Sequence, residues 1–345
     1  MLFGAKSIIG LDIGSAYLKV VQLKDTKGGY ELELMDMLQL PPELIVDGSI
    51  IDSIRLVEAL KELASKAKIK GKDVVISMAG HSTVIIKRVS LPDMSEEELY
   101  ESIKFEAEQY IPFDIEDVNL DFQILGPKEE PGQMDVILVA VKKDIINDYL
   151  TVVKEAGFNC QIVDVNSFAL ENIYEINYEI EPNKNIALIN IGASTINMNI
   201  LKGGISIFTR DSAVGSNLHT EVLQREFNLT YEVAERLKRG EAVENVPPQD
   251  AFSVMELASE EIIGEVNRSL EYFHEDVNEI ILSGGCAIIK DFPKLLAEKT
   301  GVETKVIQPF KNIKIPKKFD TAYIEEIAPI YAVATGLAIR RPGDR

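Results

Sequence analysis

At 345 residues the chain is long enough for two lobes with separate cores rather than one small core. Its 46% hydrophobic content is that of an ordinary globular protein. With 56 acidic against 36 basic residues its formal charge is −20, which excludes a general affinity for nucleic acid or an anionic membrane surface unless basic residues are sharply localised.

Cys160 and Cys286 are the only cysteines, and three histidines add no ligand spacing, so neither a disulfide framework nor a zinc site is expected and a reducing cytoplasm fits. The N-terminus lacks the basic-then-apolar layout of a signal peptide, and no apolar run approaches the ~18 residues of a spanning helix. Membrane association is therefore expected only through a partner. Lys311 to Lys318 holds four lysines but is split by Ile and Pro and reads as a solvated loop.

In chain order, Ile8–Ile13 and Tyr17–Leu23 read as strands around Gly14-Ser15-Ala16, and Gly28-Gly29 turns the chain into a third strand, 30–40. Ile51 to Lys66 has helical spacing, with Asp52 or Ser53 as its N-cap. Residues 74 to 160 look like an inserted small α+β unit. Within it, 74–79 and 83–91 are strands, Ser95 and Glu98 form a capping box for a helix that runs to about Tyr110, and Pro112 stops it. Strands at 117–125 and 134–141 follow, then a helix capped by Asp144 and ended by Gly157, then a strand from Cys160 to Val165.

The second half repeats the opening: strand Ile186–Ile191, then Gly192-Ala193-Ser194-Thr195, then strand Ile196–Leu201. A third strand spans 205–210 and helices span 217–227 and 230–239. Pro247-Pro248 breaks the chain before a long helix from Asp250 to about His274. Strand 279–283 leads into Gly284-Gly285. A helix at 292–299 and an apolar helix at 327–339 complete the chain.

The repeated turn carries the chemistry. A phosphate needs backbone N–H donors that approach closely, which glycine permits. Gly14, Ser15 and Ala16 fit this in the first hairpin, and Gly192, Ala193, Ser194 and Thr195 in the second. Asp12 can hold magnesium through water, since a hard cation wants oxygen ligands. Lys19 is either a phosphate point charge or an exposed strand residue. Each hairpin alone is equally a tight β-turn; together they suit a nucleotide clamped between two lobes. Ile280 to Ile289 adds a strand entering an apolar Gly-Gly turn that admits a flat adenine.

Hairpin, helical connector (Asp164 to Tyr174), hairpin, Gly-Gly strand and final connector helix (Ala332 to Ala338) stand in the order of the actin and sugar-kinase superfamily, which this sequence resembles. Leu91-Pro92-Asp93-Met94-Ser95, then Glu106-Ala107-Glu108-Gln109-Tyr110-Ile111-Pro112-Phe113, with Gly10 to Gly14 and Val46 to Ile50, resembles the FtsA-like branch formed by the type IV pilus assembly PilM family. The resemblance covers essentially the whole chain, and Leu91 to Phe113 is its most specific part.

The resemblance implies an α/β, actin-like (ribonuclease H-like) fold of two lobes with an inserted FtsA-type small α+β subdomain. The first lobe takes 1–73, 161–185 and 326–345, and the inserted partner-binding unit 74–160. The second lobe takes 186–214 and 264–325, with a helical subdomain at 215–263. It also implies ATP with Mg2+ in the central cleft. Gly14, Ser15 and Lys19 match the first phosphate loop, and Gly192 to Thr195 the second. Gly215 and Asn217 match the loop after the second lobe's strands. Glu235 and Lys238 match a pair near adenine and ribose, although (i, i+3) surface ion pairing explains them as well. Gly284, Gly285 and Ile288 match the adenine turn.

The pattern breaks at Asn190, where hydrolysing members carry Asp. A neutral amide supplies no negative charge to magnesium or its waters, and charge placement is most of what a protein adds to phosphoryl transfer. Slow or absent hydrolysis is expected. Asp164 is the remaining candidate for a catalytic carboxylate, or else a helix N-cap. The expected partner is the cytoplasmic N-terminal peptide of a PilN-like inner-membrane protein, along with other pilus platform proteins. Phe105, Tyr110, Ile111 and Phe113 are groove candidates or subdomain core. The expected location is cytoplasmic and peripheral to the inner membrane, without direct membrane insertion or nucleic acid. The alternatives are a sugar- or acetate-kinase-like phosphotransferase, for which no convincing base is present, and an FtsA-like filament protein, whose C-terminal amphipathic helix has no room before Arg345.

Overall fold

A computed structural model describes residues 8–128, 130–243 and 246–344; residues 1–7 and 345, expected in the first lobe, lie outside them. Strands β1 (Ile9–Ile13), β2 (Tyr17–Thr26) and β3 (Gly29–Gln39) form an antiparallel meander, followed by a short hairpin, β4 (Ile45–Val46) and β5 (Ser49–Ile50). Helix α1 (Ser53–Lys66) is N-capped by Asp52, whose carboxylate accepts from the Arg55 N–H. Strands β6 (Asp73–Met78), β7 (Val84–Pro92), β8 (Val118–Pro127), β9 (Gln133–Lys142) and β10 (Asn159–Val165) follow, with helix α2 (Glu96–Glu108) after β7 and α3 (Lys143–Glu155) after β9. Helix α4 (Asn166–Asn177) leads to the second meander, β11 (Asn185–Ile191), β12 (Ile196–Lys202) and β13 (Ile205–Ser212). Helices α5 (Asn217–Phe227), α6 (Tyr231–Lys238) and α7 (Pro248–Phe273) precede β14 (Glu279–Gly284), α8 (Phe292–Thr300), β15 (Glu303–Val306), β16 (Ile313–Lys314), α9 (Thr321–Ile327) and α10 (Ala332–Ile339).

The two large sheets share one topology. The first runs β10-β6-β1-β2-β3-β16 and the second β13-β12-β11-β14-β15. In each, a three-stranded meander is extended on its first strand by two parallel strands. The short apolar runs of β1, β6, β11 and β14 fit this placement, because a strand covered on both faces needs no polar alternation. Helices α4 and α10 lie between the sheets, where Leu170, Ile173, Ala334 and Leu337 pack with Val21 and Val75 of one sheet and Leu188 and Ile281 of the other. Helices α1 and α3 cover the outer face of the first sheet, and α5 to α8 that of the second.

The inserted unit is smaller than expected. β6 pairs with β1, and β10 with β6, so 73–78 and 159–165 belong to the first large sheet, and α3 packs beneath it through Tyr149, Val152 and Val153. What projects is the three-stranded sheet β7-β9-β8 with α2 on one face, packed through Leu91, Leu99, Ile103, Met134 and Val136. Parallel pairing across an insertion leaves no local trace, so an apolar strand beside the insertion reads as part of it.

Both arms of the capping box form at α2: Glu98 N–H donates to the Ser95 hydroxyl, and the Glu98 carboxylate accepts from Ser95 N–H. Asp144 does not cap α3; it sits in the first turn, and Lys142 holds the cap position. Pro248 opens α7 as its first residue, where a missing N–H costs nothing. Residues 321–339 do have the length and composition of a spanning helix, contrary to the expectation above. In the fold they are broken by a 3-10 turn, Ala328–Tyr331, and α10 is buried between the sheets.

Candidate functional site

The two hairpin turns face each other across the cleft between the sheets, and they are built alike. Gly14 N–H donates to the Tyr17 carbonyl at 3.2 Å, and Gly192 N–H to the Thr195 carbonyl at 2.9 Å. The tips touch: the Ser194 hydroxyl donates to that of Ser15 at 2.8 Å. The space enclosed behind them is about 110 Å³, smaller than the ~300 Å³ of ordinary ligand pockets.

Most of the residues expected from sequence line this one cavity: Asp12, Gly14, Ser15, Ala16 and Lys19 from the first lobe, then Asn190, Gly192, Ala193 and Thr195, and finally Glu235, Lys238, Gly284, Gly285 and Ile288. Ser194 stands at the touching tips. Gly215 and Asn217 do not line the cavity. They support the second turn from behind, where Ser216 N–H donates to Gly192 O at 2.9 Å and Asn217 N–H to Ala193 O at 2.8 Å. Gly284 is obligatory: its φ is +86°, and a Cβ there would meet Ile191 O at 2.3 Å and Asn190 Oδ1 at 2.8 Å.

The charges are arranged unequally. Asp12 and Lys19, opposite each other on β1 and β2, form a nearly buried ion pair at 2.7 Å. Asn190 instead belongs to a chain of amides and hydroxyls, which meets the buried Asp211 carboxyl at Asn197. Its amide donates to Asn197 Oδ1 at 3.2 Å, and its carbonyl accepts from the Ser283 hydroxyl at 3.2 Å. The Asn166 amide donates to the same Asn197 oxygen at 3.2 Å and accepts from Ser77 at 2.6 Å, which carries the chain into the first lobe.

Glu235 and Lys238 are not a surface pair. Both are buried, their charged groups bonded to each other, and the Thr220 hydroxyl donates to Glu235 and accepts from Lys238 at 2.9 Å. Burial pushes the neighbouring His219 pKa down to about 3, with the Lys238 charge adding to it, so this imidazole is neutral. Burial, with Glu235 nearby, raises the Tyr17 hydroxyl to about 12.

Sequence reasoning missed Tyr17, Met37, Asn166, Ser216, Arg239, Ile289 and Ile330 in the lining. Tyr17 had a signal, three residues after Gly14 in the same turn; Asn166 had none.

Asp164 is a correction. It does not line the cleft and does not cap α4, whose N-cap is Val165. It lies at the end of β10, buried, with Arg340 Nε 3.2 Å from its carboxylate, and it faces a second cavity of about 560 Å³. That cavity runs between the inserted unit and the first lobe. One wall is the edge strand β8 (Asn119 to Gln123) with Val139 of β9; the other is α4 with Phe168, Glu171 and Glu175. Burial raises Glu171 to about 7 even though the Asn199 amide donates to it at 3.1 Å. Phe105, Tyr110, Ile111 and Phe113 do not line this cavity. Ile111 is core of the inserted unit, Tyr110 and Phe113 pack against that core, and Phe105 is exposed on α2.

The family model for type IV pilus assembly protein PilM matches residues 10–342. A solved PilM-PilN type IV pilus biogenesis complex is similar at 28% identity and TM-score 0.85, over 98% of this chain and 99% of that one. Ethanolamine utilization protein EutJ from Carboxydothermus hydrogenoformans is similar at 15% identity and TM-score 0.60, over 96% and 89%. MreB5 of Spiroplasma citri, solved with ADP, gives 15% and 0.50 over 96% and 94%. The last two bear on the fold alone, and with the duplicated sheet order they make it the two-lobed actin-like one.

Proposed function

The chain belongs to the type IV pilus assembly protein PilM family, and from that membership we propose that it is an ATP-binding scaffold of the pilus assembly platform. It takes the N-terminal peptide of a PilN-like inner-membrane partner and splits ATP slowly or not at all. It works on the cytoplasmic side, peripheral to the inner membrane through that partner, with other platform proteins as further contacts.

The observation that carries the partner reading is the groove walled by the free edge of β8. An edge strand offers unpaired backbone N–H and C=O groups, and an extended peptide can add to them as a further strand while its side chains enter alternating pockets. The related PilM-PilN complex supports a partner of that kind.

In the cleft, the backbone N–H groups of Ser15 and Ala16 and of Ala193 to Thr195 suit the phosphates, while those of Gly14 and Gly192 close the two turns. The bare backbone at Gly284-Gly285, with Ile288, suits a flat base, and Glu235 and Lys238 suit the ribose side. Among the described residues Asp12 and Glu235 are the carboxylates lining the cavity, and Asp12 is the one on the strand that leads into a phosphate turn. Asp12 would hold a magnesium ion, whose charge would offset that of the phosphates, and Lys19, its ion-pair partner, would meet a phosphate. Asn190 offers no charge to orient an attacking water.

Titrating a synthetic N-terminal peptide of the PilN-like partner tests this reading. Binding is expected, and Gln123→Arg, at an exposed position of the edge strand that lines the groove, weakens it without lowering the melting temperature. Absence of binding, or binding untouched by Gln123→Arg, contradicts it.

A further inference from the structure

Two lysine runs that are far apart in the sequence meet on one face of the first lobe. α1 ends at Lys66, and the turn after it exposes Lys68, Lys70 and Lys72. The loop from Lys311 to Lys318 comes alongside because β16 pairs with β3, placing Lys314 opposite Glu31. Lys66, Lys68, Lys70 and Lys318 then surround one cavity of about 560 Å³, floored by Leu34, Met35 and Phe319.

Two carboxylates, Glu33 and Asp36, line the cavity with the four lysines. Asp36 takes Lys66 at 2.8 Å, Glu31 takes Lys314, and Lys24 and Lys318 also act on Glu31. Lys68, Lys70 and Lys72 have no ion-pair partner among the described residues, so the face keeps a local positive excess within a chain of −20. The Debye length at physiological salt is about 8 Å, so acidic residues on the far lobe do not cancel it.

We infer that this face docks on the anionic headgroups of a lipid bilayer. Four to eight lysines beside one another are what such a surface attracts, roughly fivefold in affinity for each, and mobile anionic lipids can gather under a patch of this size. A nucleic-acid duplex would instead meet the repulsion of a chain whose formal charge is −20. The placement also agrees with a membrane-borne partner. Arg340 lines the partner groove while the next residue, Arg341, pairs at 2.9 Å with Asp25, which adjoins Lys24. The inference stands without that partner.

Sedimentation of the full chain alone with vesicles tests it. The chain is expected to bind phosphatidylglycerol-containing vesicles and not phosphatidylcholine vesicles, and to release in high salt. Lys68→Glu, Lys70→Glu and Lys72→Glu together are expected to weaken binding by at least about a hundredfold, since each change removes one positive charge and adds a repelled negative one. The same number of reversals on the other lobe, at Lys202, Lys294 and Lys299, leaves it unchanged; all six are exposed, and melting temperatures check folding. No binding to anionic vesicles, equal loss in both variants, or binding of inorganic phosphate without vesicle binding overturns the inference.

Discussion

Ser15 and Ser194 are separated by 179 residues in the chain, yet their hydroxyls meet at 2.8 Å where the two glycine turns touch. Each serine sits one or two residues after the glycine of its hairpin, so the contact marks the mouth of the cleft. With about 110 Å³ behind it, a nucleotide enters only if this contact opens. A Ser15→Cys/Ser194→Cys variant therefore forms a disulfide when oxidised, and that bond lowers ATP affinity. ATP added first slows formation of the crosslink, as read on non-reducing gels.

The buried Glu235–Lys238 pair gives a stability prediction. Lys238→Met leaves the Glu235 charge buried beside the Thr220 and Tyr17 hydroxyls without its cation, and should cost about 3–5 kcal/mol in urea unfolding. Adding Glu235→Leu to Lys238→Met recovers most of that loss, because no lone charge remains in the interior.

Glu171 sets a pH dependence. Burial raises its folded pKa to about 7 from the ordinary value of 4.5, so the folded state holds a proton that the unfolded state releases between these values. Its contribution to stability is fully present below about pH 4.5 and is lost as pH rises through about 7. Denaturant midpoints should fall across that window, and Glu171→Gln should flatten the fall, since Gln keeps the Asn199 hydrogen bond without titrating. Asp164 and Asp211, also raised by burial, contribute with the same sign.

Helix α10 crosses α4 at Gly336, where a Cβ would stand 1.8 Å from Ala169 O. Gly336→Ala forces the two central helices apart. It should cost about 1–3 kcal/mol, read as a lower melting temperature.

The sequence made the local features legible. The twin turns, the Asp52 cap, the Ser95–Glu98 box and the Gly284 turn all depend on residues within a few positions of one another. What it left hidden depends on distant partners. Nothing near Val74 says that β6 pairs with β1 rather than within the insertion. Asp164 stands just before a helix, and only β10's place beside β6 turns its side chain to Arg340 rather than to the cleft. Glu235 and Lys238 have the spacing of a surface pair, and α5 supplies the Thr220 hydroxyl that helps bury them. The lysine face likewise needed β16 to meet β3.

The contrast between Asp12, paired to Lys19, and Asn190, bonded to the Asn197 amide and the Ser283 hydroxyl, carries the proposal that the hairpins grip ATP without splitting it. Following labelled ATP on the purified chain with magnesium tests this most directly. The account predicts that ATP binds, that Asp12→Ala weakens binding, and that the bound nucleotide stays intact, with turnover far below ~1 s⁻¹. Turnover at the ~1–100 s⁻¹ typical of kinases, abolished by Asp12→Ala, would contradict it.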